Sequence, residues 1–212
     1  MIRQGKKRRK SVYYIVAFLV VCICFLISWF IIFDFAGYRV STDTYEGGDN
    51  ICINFPKITY KNNSKKTENI NEIIDHYIQQ LSHSNSDLGL DYFITEQASD
   101  LFSVCFYGIQ CEEDGAGIIY SCYGMNIDLK NERILNLGDM VGAGEEALRN
   151  RINNDDFEIK FGKIDSEQVK RIFSIDSDNK DKWYIKEHGI GIIIDGLPFQ
   201  SGYYTRIEIP YN

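Results

Sequence analysis

The sequence predicts an α+β protein: one N-terminal transmembrane helix, then an antiparallel sheet packed against two or three helices. Three observations predict it. Residues Val12 to Phe33 form an uncharged run of 22 with Ser28 as its only small polar interruption. A later segment, "NINEIIDHYIQQL", repeats its apolar residues at helical spacing. Two further blocks, residues 91–110 and 117–137, are rich in β-branched and aromatic residues and are separated by the turn-like "CEEDGAG".

A 22-residue helix rises roughly 30 Å, the thickness of a hydrocarbon core. The run is longer than a secretory h-region and ends in Trp29 to Phe35 without a small-residue cleavage site. No small residue precedes Cys22 or Cys24, as a lipoprotein leader would need. Arg3, Lys6, Lys7, Arg8, Arg9 and Lys10 lie before the run, and Tyr13, Tyr14 and Trp29 sit near its ends. The positive-inside rule then places the N-terminus in the cytoplasm. The expected organisation is a basic cytoplasmic tail over 1–11, an uncleaved signal anchor over 12–33, a tether over 34–50 and an extracytoplasmic module over 51–212. The expected location is the cell membrane, crossed once.

All 30 acidic residues follow the run, against 17 basic ones, so the outer part carries a net charge of −13. That acidity argues against nucleic acid, which needs a basic footprint. It favours either solubility or cationic partners. Cys52, Cys105, Cys111 and Cys122 lie outside, an even number where oxidation is permitted. Cys105 and Cys122 fall on adjacent strands of one expected hairpin. The expected disulfides are therefore Cys105 with Cys122 and Cys52 with Cys111, the alternative being buried free thiols.

Within the module, "NICINFPKITY" reads as an edge strand or a strand broken at Pro56. Ile70, Ile73, Ile74, Tyr77, Ile78 and Leu81 form the apolar face of a helix. The two β-rich blocks read as an antiparallel meander, with "DLKNER" as a further turn. "GDMVGAGEEALRNRI" returns to helical spacing, "DSEQVKRIFS" is a second possible helix, and residues 182–212 resemble two strands around Glu187 to Gly189 plus a final strand. Strand, helix, strands, helix, strands is an α+β order.

No catalytic constellation emerges, and no cofactor or metal site is expected. "VGAGEEAL" lacks the Lys and Ser/Thr of a phosphate loop. "DSDNKD" has Asp176 and Asp178 at the first and third places of a calcium loop and Glu187 at the twelfth, but Lys180 and Asp181 spoil the fifth and sixth. His76 and His83 are two helical turns apart, and His188 lies in a turn. Glu112, Glu113 and Asp114 crowd one tip, unlike a glycosidase pair across a cleft. Trp183, Tyr184, Tyr203 and Tyr204 either anchor a partner or fill the core and strand pairs.

The strand "INFPKI", the helix "NINEIIDHYI", the segment "MNIDLKNERILNLGDM" and the terminal "WYIKEHGIGIIID" and "YYTRIEIPY" together resemble a family of extracytoplasmic bacterial modules. That family occurs in the outer region of the lysozyme-sensing anti-sigma factor RsiV and ahead of the catalytic domain of the peptidoglycan deacetylase PdaC. The resemblance covers Cys52 to Tyr211. Where the family often has a Gly-Ala-His motif, this chain has Gly115, Ala116 and Gly117, so no role of that histidine carries over. With a tail of 11 residues and an end at Asn212, the resemblance implies the module alone, without a sigma-factor-holding segment or a deacetylase domain. The resemblance implies an anchored binding or sensor module contacting peptidoglycan or a cationic protein such as lysozyme. The alternative is a cell-wall hydrolase or deacetylase with a cryptic site.

Overall fold

The computed structural model describes residues 37–48, 50–84, 87–111, 117–140, 144–162, 164–172, 181–197 and 200–210. The expected tail and span, over 1–11 and 12–33, lie outside them. Among the described residues no helix is long and apolar enough to cross a membrane.

The elements run β1 (Tyr38–Gly47), β2 (Ile51–Tyr60), α1 (Ser64–His83), β3 (Leu88–Gln97), β4 (Leu101–Cys111), β5 (Ile118–Asp128) and β6 (Arg133–Ile134). They continue with α2 (Leu137–Met140), α3 (Gly144–Asn153), β7 (Glu158–Phe161), α4 (Ser166–Ile172), β8 (Trp183–Lys186), β9 (Gly189–Leu197) and β10 (Gln200–Pro210). The α+β order is as expected, but the strands build two sheets instead of one. The first has the order β1-β2-β3-β4-β5-β6 and the second β7-β10-β9-β8. Nor is the first sheet wholly antiparallel, because β2 and β3 pair in parallel over Ile51–Ile53 and Leu88–Leu90. The α1 crossover between them makes that direction possible.

Residues 38–47, expected within the tether, instead form β1, paired with β2 along its whole length. As an edge strand with mostly exposed residues, β1 has no apolar pattern to betray it. The short strand β7 escaped for the same reason.

Helix α1 begins at the N-cap Asn63, whose Oδ1 accepts from Lys66 N–H at 2.9 Å. Its apolar stripe, Ile70, Ile74, Tyr77, Ile78 and Leu81, packs on one face of the first sheet against Ile53, Phe55, Leu88, Phe102, Val104, Phe106, Met125 and Ile127. The second sheet and α3–α4 enclose another core around Leu148, Ile152, Val169, Trp183, Ile185, Ile192 and Ile207. The other face of β4 and β5 meets the second sheet through Cys105, Cys122, Tyr184, Ile193 and Tyr204. Alternate residues of two strands thus serve two different layers.

Pro56 does not break β2 but stands where the strand is a local edge of the sheet. Strand β3 pairs with β2 only as far as Ile53, and beyond it α1 takes over. Ile58 N–H donates to Asn71 Oδ1 at 2.9 Å, Asn71 Nδ2 donates to the Ile58 carbonyl at 2.8 Å, and Tyr60 N–H donates to Thr67 Oγ1 at 2.9 Å. Pro56 shares the parity of Ile58 and Tyr60, so its missing donor falls on the side where no strand waits. The Asn71 amide stands in for a neighbouring strand. Asn71→Ala is expected to cost about 2 kcal/mol in urea unfolding, because it orphans both polar groups of the fully buried Ile58. A change below about 0.5 kcal/mol, the range of an ordinary surface substitution, would count against this role.

Candidate functional site

The second sheet docks on the first through β8, held by a buried polar cluster. Ile185 N–H donates to both Ser103 Oγ (2.9 Å) and Asn126 Oδ1 (3.0 Å). Ser103 Oγ donates to Asn126 Oδ1 at 2.6 Å, and Asn126 Nδ2 donates to the Trp183 carbonyl at 3.0 Å. Arg206 of β10 lies 5.0 Å from the Phe93 ring in the first sheet and 5.9 Å from Phe161 in the second, a cation held between both layers. Glu208 accepts from Tyr184 Oη at 3.1 Å and pairs with Lys186.

This docking decides the fate of the predicted aromatics. Trp183, Tyr184 and Tyr204 are 1%, 1% and 6% exposed: Tyr184 and Tyr204 fill the space between the sheets, Trp183 lies in the core under α3–α4, and none offers a partner surface. The side chain of Tyr203 lies outside the described residues. Burial raises the Tyr184 and Tyr204 phenols well above their ordinary range, consistent with neutral core residues.

All four described cysteines are free. The expected Cys52–Cys111 pairing fails on topology. Cys52 stands opposite Gly89, and Gly89 opposite Ile109, so β3 separates β2 from β4. Two strand spacings are about 9.5 Å, beyond the reach of a disulfide. Cys105 and Cys122 do meet, with sulfurs 3.1 Å apart, longer than a bond of about 2.05 Å.

His76 lies on the exposed side of α1, 3.1 Å from Gln80 Nε2, and His83 Nδ1 is 2.6 Å from the Gln79 carbonyl. His188 is exposed in the β8–β9 turn beside Glu187. Among the described residues no group of three or more His, Cys, Asp or Glu is placed to hold a metal ion. Asp176, Asp178 and Lys180 of the calcium-like stretch lie outside those residues, as do Glu112, Glu113, Asp114, Gly115 and Ala116.

What the structure does assemble is a surface. The second sheet covers Cys105 and Cys122, but β4 and β5 run on past it, and the same face there carries Tyr107, Ile109, Ile118 and Tyr120, 39 to 59% exposed. Asp91 stands opposite Tyr107, and Glu46 and Cys52 continue the row through Gly89 to Ile109. Tyr38, where the described strands begin, rests edge-on against Phe102 at 6.1 Å. From Phe102 to Ile109 along β4 is ~23 Å of strand. The exposed apolar face is thus at the far end of the sheet from Tyr38.

Its surroundings are acidic for a reason legible in the sequence but missed there. From Thr67 to Leu129 the chain has not one Lys or Arg, while Asp and Glu recur throughout. The stretch spans most of α1 and all of β3, β4 and β5. On that face Glu46 and Asp91 share the side of Tyr107 and Ile109.

The fold and this face define a class: a two-sheet α+β module with an acidic, apolar-centred surface at one end. No family model matches the chain, and no curated protein matches it. Among solved structures it is similar to the crystal structure of a DUF3298 family protein from Pseudomonas aeruginosa PAO1. The TM-score is 0.43 at 16% identity, over 82% of this chain and 88% of that one.

Proposed function

We propose that the protein is a membrane-anchored, extracytoplasmic binding or sensor module whose partner is a cationic wall-active protein of the lysozyme kind. One observation carries the reading: Tyr107, Ile109, Ile118 and Tyr120 lie exposed on a face flanked by carboxylates, within a stretch free of Lys and Arg. An apolar centre with an anionic rim suits a partner of opposite charge, steered by long-range attraction and held by apolar contact. The net charge of −13 after the apolar run, and the resemblance to the RsiV and PdaC modules, support the same reading.

The test is calorimetry on the full-length protein in detergent micelles, titrated with lysozyme and, separately, with muropeptides. Lysozyme is expected to bind at low salt, and at least about tenfold more weakly at roughly 0.15 M salt. Ile109→Lys, which places a cation in the apolar centre, is expected to weaken binding at least tenfold. Absence of lysozyme binding at low salt, or binding indifferent to Ile109→Lys, overturns the reading. Binding of muropeptides alone would move the function to wall material.

A further inference from the structure

Cys105 and Cys122 are both 0% exposed. Cys105 stands opposite Gly124 and Cys122 opposite Tyr107, so the two are diagonal neighbours on one face of the β4–β5 pair. Their sulfurs are 3.1 Å apart and covered by Tyr184, Ile193 and Tyr204 of the second sheet. The Cys122 hydrogen bond, with the positive charges of Arg206 and Lys182, holds the Cys105 thiol below its ordinary range, while burial pushes Cys122 up. Arg206 and the covering side chains arrive with the second sheet, so this asymmetry belongs to the docked state, and before docking either thiol can attack.

We propose that Cys105 and Cys122 are an oxidation site, closed into a cross-strand disulfide before the second sheet docks and then sealed by it. The thiolate of one of the two cysteines attacks one sulfur of an external disulfide of the glutathione or protein-oxidoreductase class, releasing one thiolate and forming a mixed disulfide. The sulfur of the other cysteine then attacks the first, and the second thiolate leaves. The two cysteine protons end on the two released thiols, and the two electrons on the reduced oxidant. The order of events follows from the chain. Only positions 106–121 separate the two cysteines, so the hairpin closes locally, whereas Tyr184, Ile193 and Tyr204 arrive much later in the sequence. Once those side chains cover the sulfurs, no oxidant or reductant reaches them without unfolding. Cys52 and Cys111, with β3 between them, stay as thiols.

The test exploits the missing lysines and arginines. Trypsin cannot cut between Cys105 and Cys122, but a glutamate-specific protease cuts after Glu112 and Glu113. Full-length protein is refolded with oxidised and reduced glutathione, denatured, alkylated and digested without reductant. The expected result is two hairpin halves that stay joined and separate when reductant is added. In addition, a phosphine reductant should release them at least tenfold faster in urea than in buffer. Halves that separate without reductant, a link through Cys52 or Cys111, or reduction equally fast in buffer overturns the proposal. The variant Cys52→Ser with Cys111→Ser removes only thiols outside the covered pair, and it must give the same joined halves.

Discussion

Gly124→Ala is expected to cost about 3 kcal/mol or more and to expose Trp183. A Cβ at position 124 would overlap the Trp183 carbonyl oxygen and stand 2.6 Å from its carbon, both backbone atoms that no rotamer change can move. The residue is confined on its other side too. Its N–H donates to the Asp181 carbonyl at 2.6 Å, and its carbonyl accepts from Tyr77 Oη of α1 at 3.1 Å. Relief therefore requires β8 to lift from the first sheet, which opens the layer holding Tyr184, Ile193 and Tyr204. Urea unfolding should show a lower midpoint, and tryptophan emission should move to the red against a constant Trp29 background. A variant within about 0.5 kcal/mol of the parent, the range of an unremarked surface change, would show that β8 does not sit this close.

Asn126→Ala is expected to cost about 3 kcal/mol. The Asn126 side chain accepts from Ile185 N–H and Ser103 Oγ and donates to the Trp183 carbonyl, all in a fully buried position. Truncation leaves the Trp183 carbonyl unpaired, weakens the hold on Ile185 N–H and opens a void. Ser103→Ala should cost less, about 1 kcal/mol, because Ile185 N–H still reaches Asn126. The double variant should cost more than the sum, since only then does Ile185 N–H lose both acceptors. Additive costs measured by urea unfolding would show that the two side chains do not share that donor.

These two residues show why the site was only half legible. Nothing in "CYGMNID" distinguishes a glycine that admits a crossing backbone from a glycine that weakens a strand. Likewise Trp183, Tyr184 and Tyr204 have the composition of a contact surface and the position of a core. The exposed set proved to be Tyr107, Ile109, Ile118 and Tyr120, which continue the same strand face beyond the edge of the covering sheet. The charge signal was available, because a stretch from Thr67 to Leu129 without Lys or Arg needs no coordinates to see. Its meaning needed the strand register, which sets Asp91 beside Tyr107 and Glu46 in the row of Ile109.

By itself the sequence determined what depends on neighbours along the chain. The helical recurrence of Ile70, Ile74, Tyr77 and Ile78 made α1, and the β-branched and aromatic runs made β3, β4 and β5. The same runs brought Cys105 near Cys122, because a hairpin pairs residues only a short loop apart. Tertiary structure alone decided which strands share a sheet, that β2 and β3 run parallel, that β1 belongs to the fold and that Cys52 cannot reach Cys111. Periodicity tells a strand which of its residues lie on one face. What covers that face, and where the cover ends, depends on segments far away along the chain, and no local pattern encodes their arrival.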